Sequence, residues 1–139
     1  MFRALPLLFV AIAEIFSSCG GRRAPKAVYP RTGTSQTGIA SWYGHPYHGR
    51  KTASGEVYDM EKRTAAHREW AFGSMVRVLN LSNGKSVEVR INDRGPFVRG
   101  RIIDLSRAAA RDVGLLTSGI SKVRITVTRE ASRTGDAKR

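Results

Sequence analysis

The chain has 139 residues, room for one domain of ordinary size, and 41% hydrophobic with 25% charged residues excludes wholesale disorder. A single cysteine excludes an intrachain disulfide framework and any cysteine-rich zinc module, and three histidines leave little material for a metal centre. Twenty-four Lys and Arg against 11 Asp and Glu give a net charge of +13, which points to a polyanionic partner, with nucleic acid first by composition alone.

The N-terminus argues against nucleic acid. Arg3 precedes an apolar stretch from Ala4 to Ala13, interrupted by Pro6. As a helix that stretch spans about 15 Å, half of a hydrocarbon core, so it predicts a secretory segment over 1–19 rather than a permanent span. Two processing routes fit. Ser17, Ser18, Cys19 and Gly20 resemble a bacterial lipobox, with Phe16 where Leu is usual, in which Cys19 is lipidated and anchors the chain to a membrane. Ala11, Ile12 and Ala13 instead form an A-x-A site for plain secretion. Removing 1–19 takes away Arg3 and Glu14 and leaves the charge unchanged. Outside the cytoplasm the anionic polymers on offer are cell wall and lipid headgroups, not nucleic acid.

Residues 20–36, rich in Gly, Pro, Arg and Ser/Thr, read as a flexible linker, and 129–139 as a polar tail. The domain is expected over 37–128. Strand candidates lie at 38–43, 76–78, 87–91, 101–105 and 122–128, and Asn83-Gly84 between the second and third is a strong hairpin signal. One helix is expected from Arg107 to Val113, with Ser106 as N-cap and Gly114 as stop. Many short strands with one helix predict a mainly β, small closed barrel, since closure removes exposed edges.

Several familiar sites are absent. Gly84-Lys85-Ser86 ends like a phosphate loop, but Leu79 stands at the position of its first glycine. There is no H-E-x-x-H and no G-x-S-x-G. His45 and His48 have metal-ligand spacing but lie in a Gly/Pro-rich loop with no third ligand in view, so no metal and no cofactor are expected. Two stretches remain. Residues 38–59 are dense in Gly, aromatic and hydroxyl residues, which suits a groove that stacks on sugar rings. In 90–97, Val87, Val89 and Ile91 mark the inward face of a strand, and continued alternation puts Asp93 on that side just before Gly95-Pro96. Asp93 then emerges at the barrel mouth as a reactive carboxyl, or else braces the turn.

The segments GIASWYG (38–44), HGRKTASGEVYD (48–59), TAAH (64–67), VRVLNLSNGKSVEVRINDRGPF (76–97) and GRIIDLSRAAARDVG (100–114) resemble the rare lipoprotein A family. That resemblance implies a six-stranded double-psi β-barrel and, in some members, lytic transglycosylase activity on peptidoglycan stripped of stem peptides. It implies a catalytic group of Glu56, His67 and Asp93. Some relatives carry a C-terminal peptidoglycan-binding repeat domain, which is not expected here.

In this reading one carboxyl, assigned to Asp93, protonates the leaving oxygen. The muramic C6 hydroxyl then closes on C1, and Asp93 takes up its proton, so the two-carboxylate spacing of glycoside hydrolysis is not required. Glu56 and His67 tune Asp93 or orient the sugar. Trp42, Tyr43 and Tyr47 are candidates for stacking on saccharide rings, and Arg50, Lys51, Arg94 and Arg101 for meeting lactyl carboxylates. The alternative is a non-catalytic peptidoglycan-binding module that acts as expansins do.

Overall fold

The structure, a computed structural model, describes residues 26–133. The secretory segment expected over 1–19, with Cys19, residues 20–25 of the expected linker and 134–139 of the expected tail lie outside the described residues.

Six strands and one helix follow in chain order: β1 (Ser35–Trp42), β2 (Thr64–Ala66), β3 (Met75–Asn80), β4 (Ser86–Asp93), β5 (Arg101–Leu105), α1 (Arg107–Asp112) and β6 (Ser121–Arg129). They close into a barrel in the order β1-β5-β2-β4-β3-β6. The pairs β1/β5 and β2/β4 run parallel and the other four pairs antiparallel. This is the six-stranded double-psi architecture with one short helix.

Period-two alternation explains most of the wall. Val76 and Val78 of β3, Val87, Val89 and Ile91 of β4, and Val123, Ile125 and Val127 of β6 all point into the core. Burying each such side chain contributes about 1.5–3 kcal/mol. The β3–β4 hairpin turns where Asn83-Gly84 predicts: Gly84 takes φ +74°, a conformation that suits glycine, and Asn83 Oδ1 accepts from Lys85 N–H at 2.9 Å. Helix α1 is capped by the Ser106 hydroxyl, which accepts from Ala109 N–H at 3.3 Å. Its Ala108, Ala109 and Ala110 are buried, and such small side chains let the helix sit close against the barrel.

Three features depart from simple periodicity. Strand β2 is three residues long and buried throughout, so no alternation marks it in the sequence. Strand β4 carries a bulge: Ala65 pairs with Ile91, but Ala66 pairs with Asp93, which leaves Asn92 as an extra, buried residue. Strand β1 begins at Ser35, and residues ahead of it lie along the barrel. Val28 N–H donates to the Glu69 carbonyl and Ala71 N–H to the Val28 carbonyl, each at 2.7 Å.

Leu105 tests the core, because it is fully buried and its strand pairs with both β1 and β2. Leu105→Ala is expected to cost about 2–5 kcal/mol of unfolding free energy, read by urea melts monitored by circular dichroism. A loss below 1 kcal/mol would contradict this account of the core.

Candidate active site

Ala66 sits between two acids. It pairs with Asp93 of β4 on one side and with Asp104 of β5 on the other. Neighbouring strands lie about 4.8 Å apart, so the two acidic residues flank a methyl side chain across roughly 10 Å of sheet. Ala66, Asp93 and Asp104 line one groove of about 420 Å³. Tyr43, Tyr47 and Tyr58 line it as well, with Arg50, Lys51, Arg94 and Arg101.

Asp93 does two things at once. Its Oδ1 accepts from Ala53 N–H at 2.9 Å and from its neighbour Arg94 N–H at 2.8 Å, which braces the turn into Gly95-Pro96. Oδ2 has no hydrogen-bond partner among the described residues. Gly95 takes φ +122°, a backbone state essentially reserved for glycine, and swings the chain from β4 into the groove lip. Strict alternation is broken by the bulge at Asn92, yet Asp93 still reaches the groove.

Asp104 is the acid that sequence reasoning passed over. Burial raises its pKa above the ordinary carboxylate value, and the charge of Asp93 adds to that. A hydrogen bond from the Ser41 hydroxyl to Oδ1 and the charge of Arg101 act in the opposite direction. The signal was present as a charge within the apolar run Ile102-Ile103-Asp104-Leu105, a strand that is otherwise core.

The tyrosines form one layered wall. Tyr43 meets Tyr47 edge-on at 5.8 Å and lies against Tyr58 at 4.4 Å, and Tyr58 Oη donates to the Tyr43 carbonyl at 2.6 Å. The Tyr43 hydroxyl is buried without a hydrogen-bond partner. Burial, and next the charge of Asp93, push its ionisation well above the ordinary phenol value, so it remains a donor. Trp42, by contrast, packs against the core cluster and does not line the groove.

Glu56 and His67 do not line the groove either. Glu56 is held by Arg90 in a two-pronged ion pair with both contacts at 2.7 Å. That hydrogen bonding is the chief cause of its lowered pKa and keeps it a carboxylate. His67 is 3% exposed and stacks on Trp70 at 4.3 Å. Its Nδ1 accepts from Glu69 N–H and Trp70 N–H, both at 3.1 Å, so the ring proton sits on Nε2, 3.1 Å from Gln36 Oε1. Burial lowers its pKa to about 4, with Arg68 and Arg94 adding to the effect. Its main chain supports the site from behind: His67 N–H donates to the Asp93 carbonyl at 3.1 Å, and Arg94 Nη1 donates to the His67 carbonyl at 3.3 Å.

Arg94 also donates to the Trp70 carbonyl at 2.9 Å and lies 3.9 Å above the Phe72 ring, so its guanidinium is a fixed part of the wall. His48 Nδ1 accepts from Met60 N–H. Among the described residues no group of three His, Cys, Asp or Glu is placed to hold a metal ion, and no helix is long and apolar enough to cross a membrane.

A protein family described as lytic transglycolase matches residues 35–125. The "Probable endolytic peptidoglycan transglycosylase RlpA" of Synechocystis sp. is 57% identical over 90 residues, 65% of this chain and 28% of that protein. The "Endolytic peptidoglycan transglycosylase RlpA" of Pasteurella multocida is 56% identical over 94 residues, 68% of this chain and 32% of that protein. The matched part thus spans about a third of the length of these curated relatives. Among solved structures, the Streptomyces papain inhibitor superposes with a TM-score of 0.58 at 25% identity, covering 70% of this chain and 97% of that one. The expansin of Clavibacter michiganensis gives 0.56 at 21% identity, covering 71% and 52%.

The buried, neutral His67 generates a pH prediction. In the unfolded chain a histidine binds its proton near pH 6.5, whereas the folded chain resists until about 4. The stability associated with this residue is therefore complete above about pH 6.5 and lost progressively as pH falls towards 4. Comparing denaturant melts of the original chain with His67→Gln across this window isolates it: the variant is expected to show the shallower fall. Equal slopes would refute the neutral, buried state.

Proposed function

Because the chain belongs to the lytic transglycolase family, we propose that its groove cleaves the β-1,4 bond between N-acetylmuramic acid and N-acetylglucosamine in peptidoglycan, on strands stripped of stem peptides. The observation that carries this reading is the placing of Asp93 and Asp104 on either side of Ala66, in a groove walled by tyrosines and cations.

In the proposed reaction, Asp93 delivers a proton through Oδ2 to the leaving glycosidic oxygen as the C1–O bond breaks. The muramic C6 hydroxyl attacks C1 and gives its proton to the Asp93 carboxylate, leaving a 1,6-anhydro end and consuming no water. Tyr43 and Tyr47 offer ring faces to the sugars. Arg50, Lys51, Arg94 and Arg101 suit the lactyl carboxylates of denuded glycan. Glu56 and His67 support rather than touch substrate: one fixes the loop of 52–56 through Arg90, the other holds the Asp93–Arg94 backbone.

A second assignment of the proton is favoured by one observation. Asp104 keeps its proton to higher pH than an ordinary carboxyl, as a general acid requires, so it competes with Asp93 as donor. Asn variants of both decide. Asp93→Asn preserves the Oδ1 acceptor and is expected to lower anhydro-product formation by about 10²–10⁴-fold, with glycan pull-down and melting temperature little changed. An Asp93→Asn protein that cleaves near the original rate, beside an inactive Asp104→Asn protein, assigns the donor to Asp104. Full activity in both would overturn the groove as the catalytic site.

The reading places the protein in the cell envelope, with residues 1–18 removed and Cys19, the new N-terminus, as lipid anchor. Cys19→Ala is expected to move the protein from the membrane fraction to the soluble extract. An original chain that is already soluble and begins at Glu14 would show plain secretion instead.

A further inference from the structure

Beside the groove lies a second hollow of about 480 Å³, within the size range of small-ligand sites. Tyr29, Phe72 and Phe97 supply its aromatic faces, and Arg68 and Arg94 supply positive charge. The two hollows share a wall, since Arg94 and Phe97 line both. Asp93 stands at the divide: Ala53 lines the second hollow, and its N–H donates to Asp93 Oδ1. Phe97 is 80% exposed, a large cost in apolar surface left in water that a stacked partner would relieve.

We propose that this second hollow is a saccharide subsite that continues the groove past Asp93 and holds the next sugars of the same glycan strand. The inference rests on the proposed peptidoglycan reading and adds the residues that grip the strand on the far side of the cleavage point. Three properties select a denuded glycan as occupant. The hollow adjoins the groove across Arg94 and Phe97, so one polymer laid over that shared wall can reach both. Its aromatic faces match the apolar C–H faces of pyranose rings. Its guanidiniums match a repeating carboxylate, and the Arg133 guanidinium 5.2 Å from the Tyr29 ring adds to that charge.

Part of this wall comes from outside the barrel strands. Tyr29 and Ala27 belong to the segment ahead of β1 that the Val28 hydrogen bonds fasten to the barrel. That segment therefore completes a binding site in addition to leading into the fold.

The test uses the full chain in an Asp93→Asn, Asp104→Asn background that leaves the strand uncut. Binding is measured for long denuded glycan strands and for a glycan tetrasaccharide. Tyr29→Ala and Arg68→Gln are each expected to weaken binding of the long strand by about 3- to 10-fold and leave the tetrasaccharide unchanged. Tyr29→Phe, which keeps the ring, is expected to retain long-strand binding. Equal melting temperatures exclude a folding defect, and Arg68→Gln tests the charge of the hollow where Tyr29→Ala tests its aromatic face. Unchanged long-strand binding in both variants would overturn the proposal, as would equal losses on long and short ligands or no length dependence in the unsubstituted background. Failure of the cleavage reading looks different: the original chain releases no anhydro product, while the length-dependent loss in Tyr29→Ala persists.

Discussion

The pairing of Ala66 with both Asp93 and Asp104 is the constraint around which the site is built. Strand β2 is only three residues long, yet it runs between β4 and β5, parallel to one and antiparallel to the other. A strand in that position brings the carboxyls of two strands that do not pair with each other to one end of the barrel. Its own residue between them is a methyl group, so the space between the acids stays open. The barrel's closure fixes this arrangement, because shifting β2 by one residue would turn its side chains to the opposite face.

Electrostatics then separates the roles of the acids. Glu56, with Arg90 clamped to both its oxygens, is held as a carboxylate away from the groove. Asp104, taken out of water beside the charge of Asp93, holds its proton more tightly. Asp93 is aimed by two backbone N–H groups on one oxygen, which leaves the other for a ligand. The surrounding cations are fixed in part by contacts unrelated to charge pairing: Arg94 is anchored by two main-chain carbonyls and the face of Phe72. A guanidinium held that way carries little entropy to lose when an anion arrives.

His67 illustrates how a polar side chain can serve a site without entering it. Its ring is consumed by two backbone donors, by Gln36 and by the Trp70 face, so it has no exposed nitrogen to exchange protons with a substrate. The same interactions fix the turn from β2 into the Glu69–Trp70 segment. That turn receives Val28 on one side and Arg94 on the other. The N-terminal segment, the groove wall and the second hollow thus share one buried support.

The sequence by itself determined the walls of the barrel. Alternation in 87–91 and 122–128, the Asn83-Gly84 turn and the Ser106 cap are local signals, and the elements formed where local physics put them. It also determined that Asp93 reaches the groove, although by a route that differs from simple alternation, since a bulge at Asn92 intervenes. Only the tertiary structure decided what stands beside Asp93. Strand β2 has no period to read, the segment around Val28 looks like linker until Trp70 and Ala71 pair with it, and Asp104 looks like a charge in a core strand until Ala66 pairs with it. Likewise Trp42 and His67 carry the residue types of a sugar site, but packing turned one towards the core and buried the other. The physical reason is common to all of these. Local sequence fixes which face a side chain occupies on its own strand, whereas its neighbours, its solvation and hence its acidity are set by strands far away in the chain.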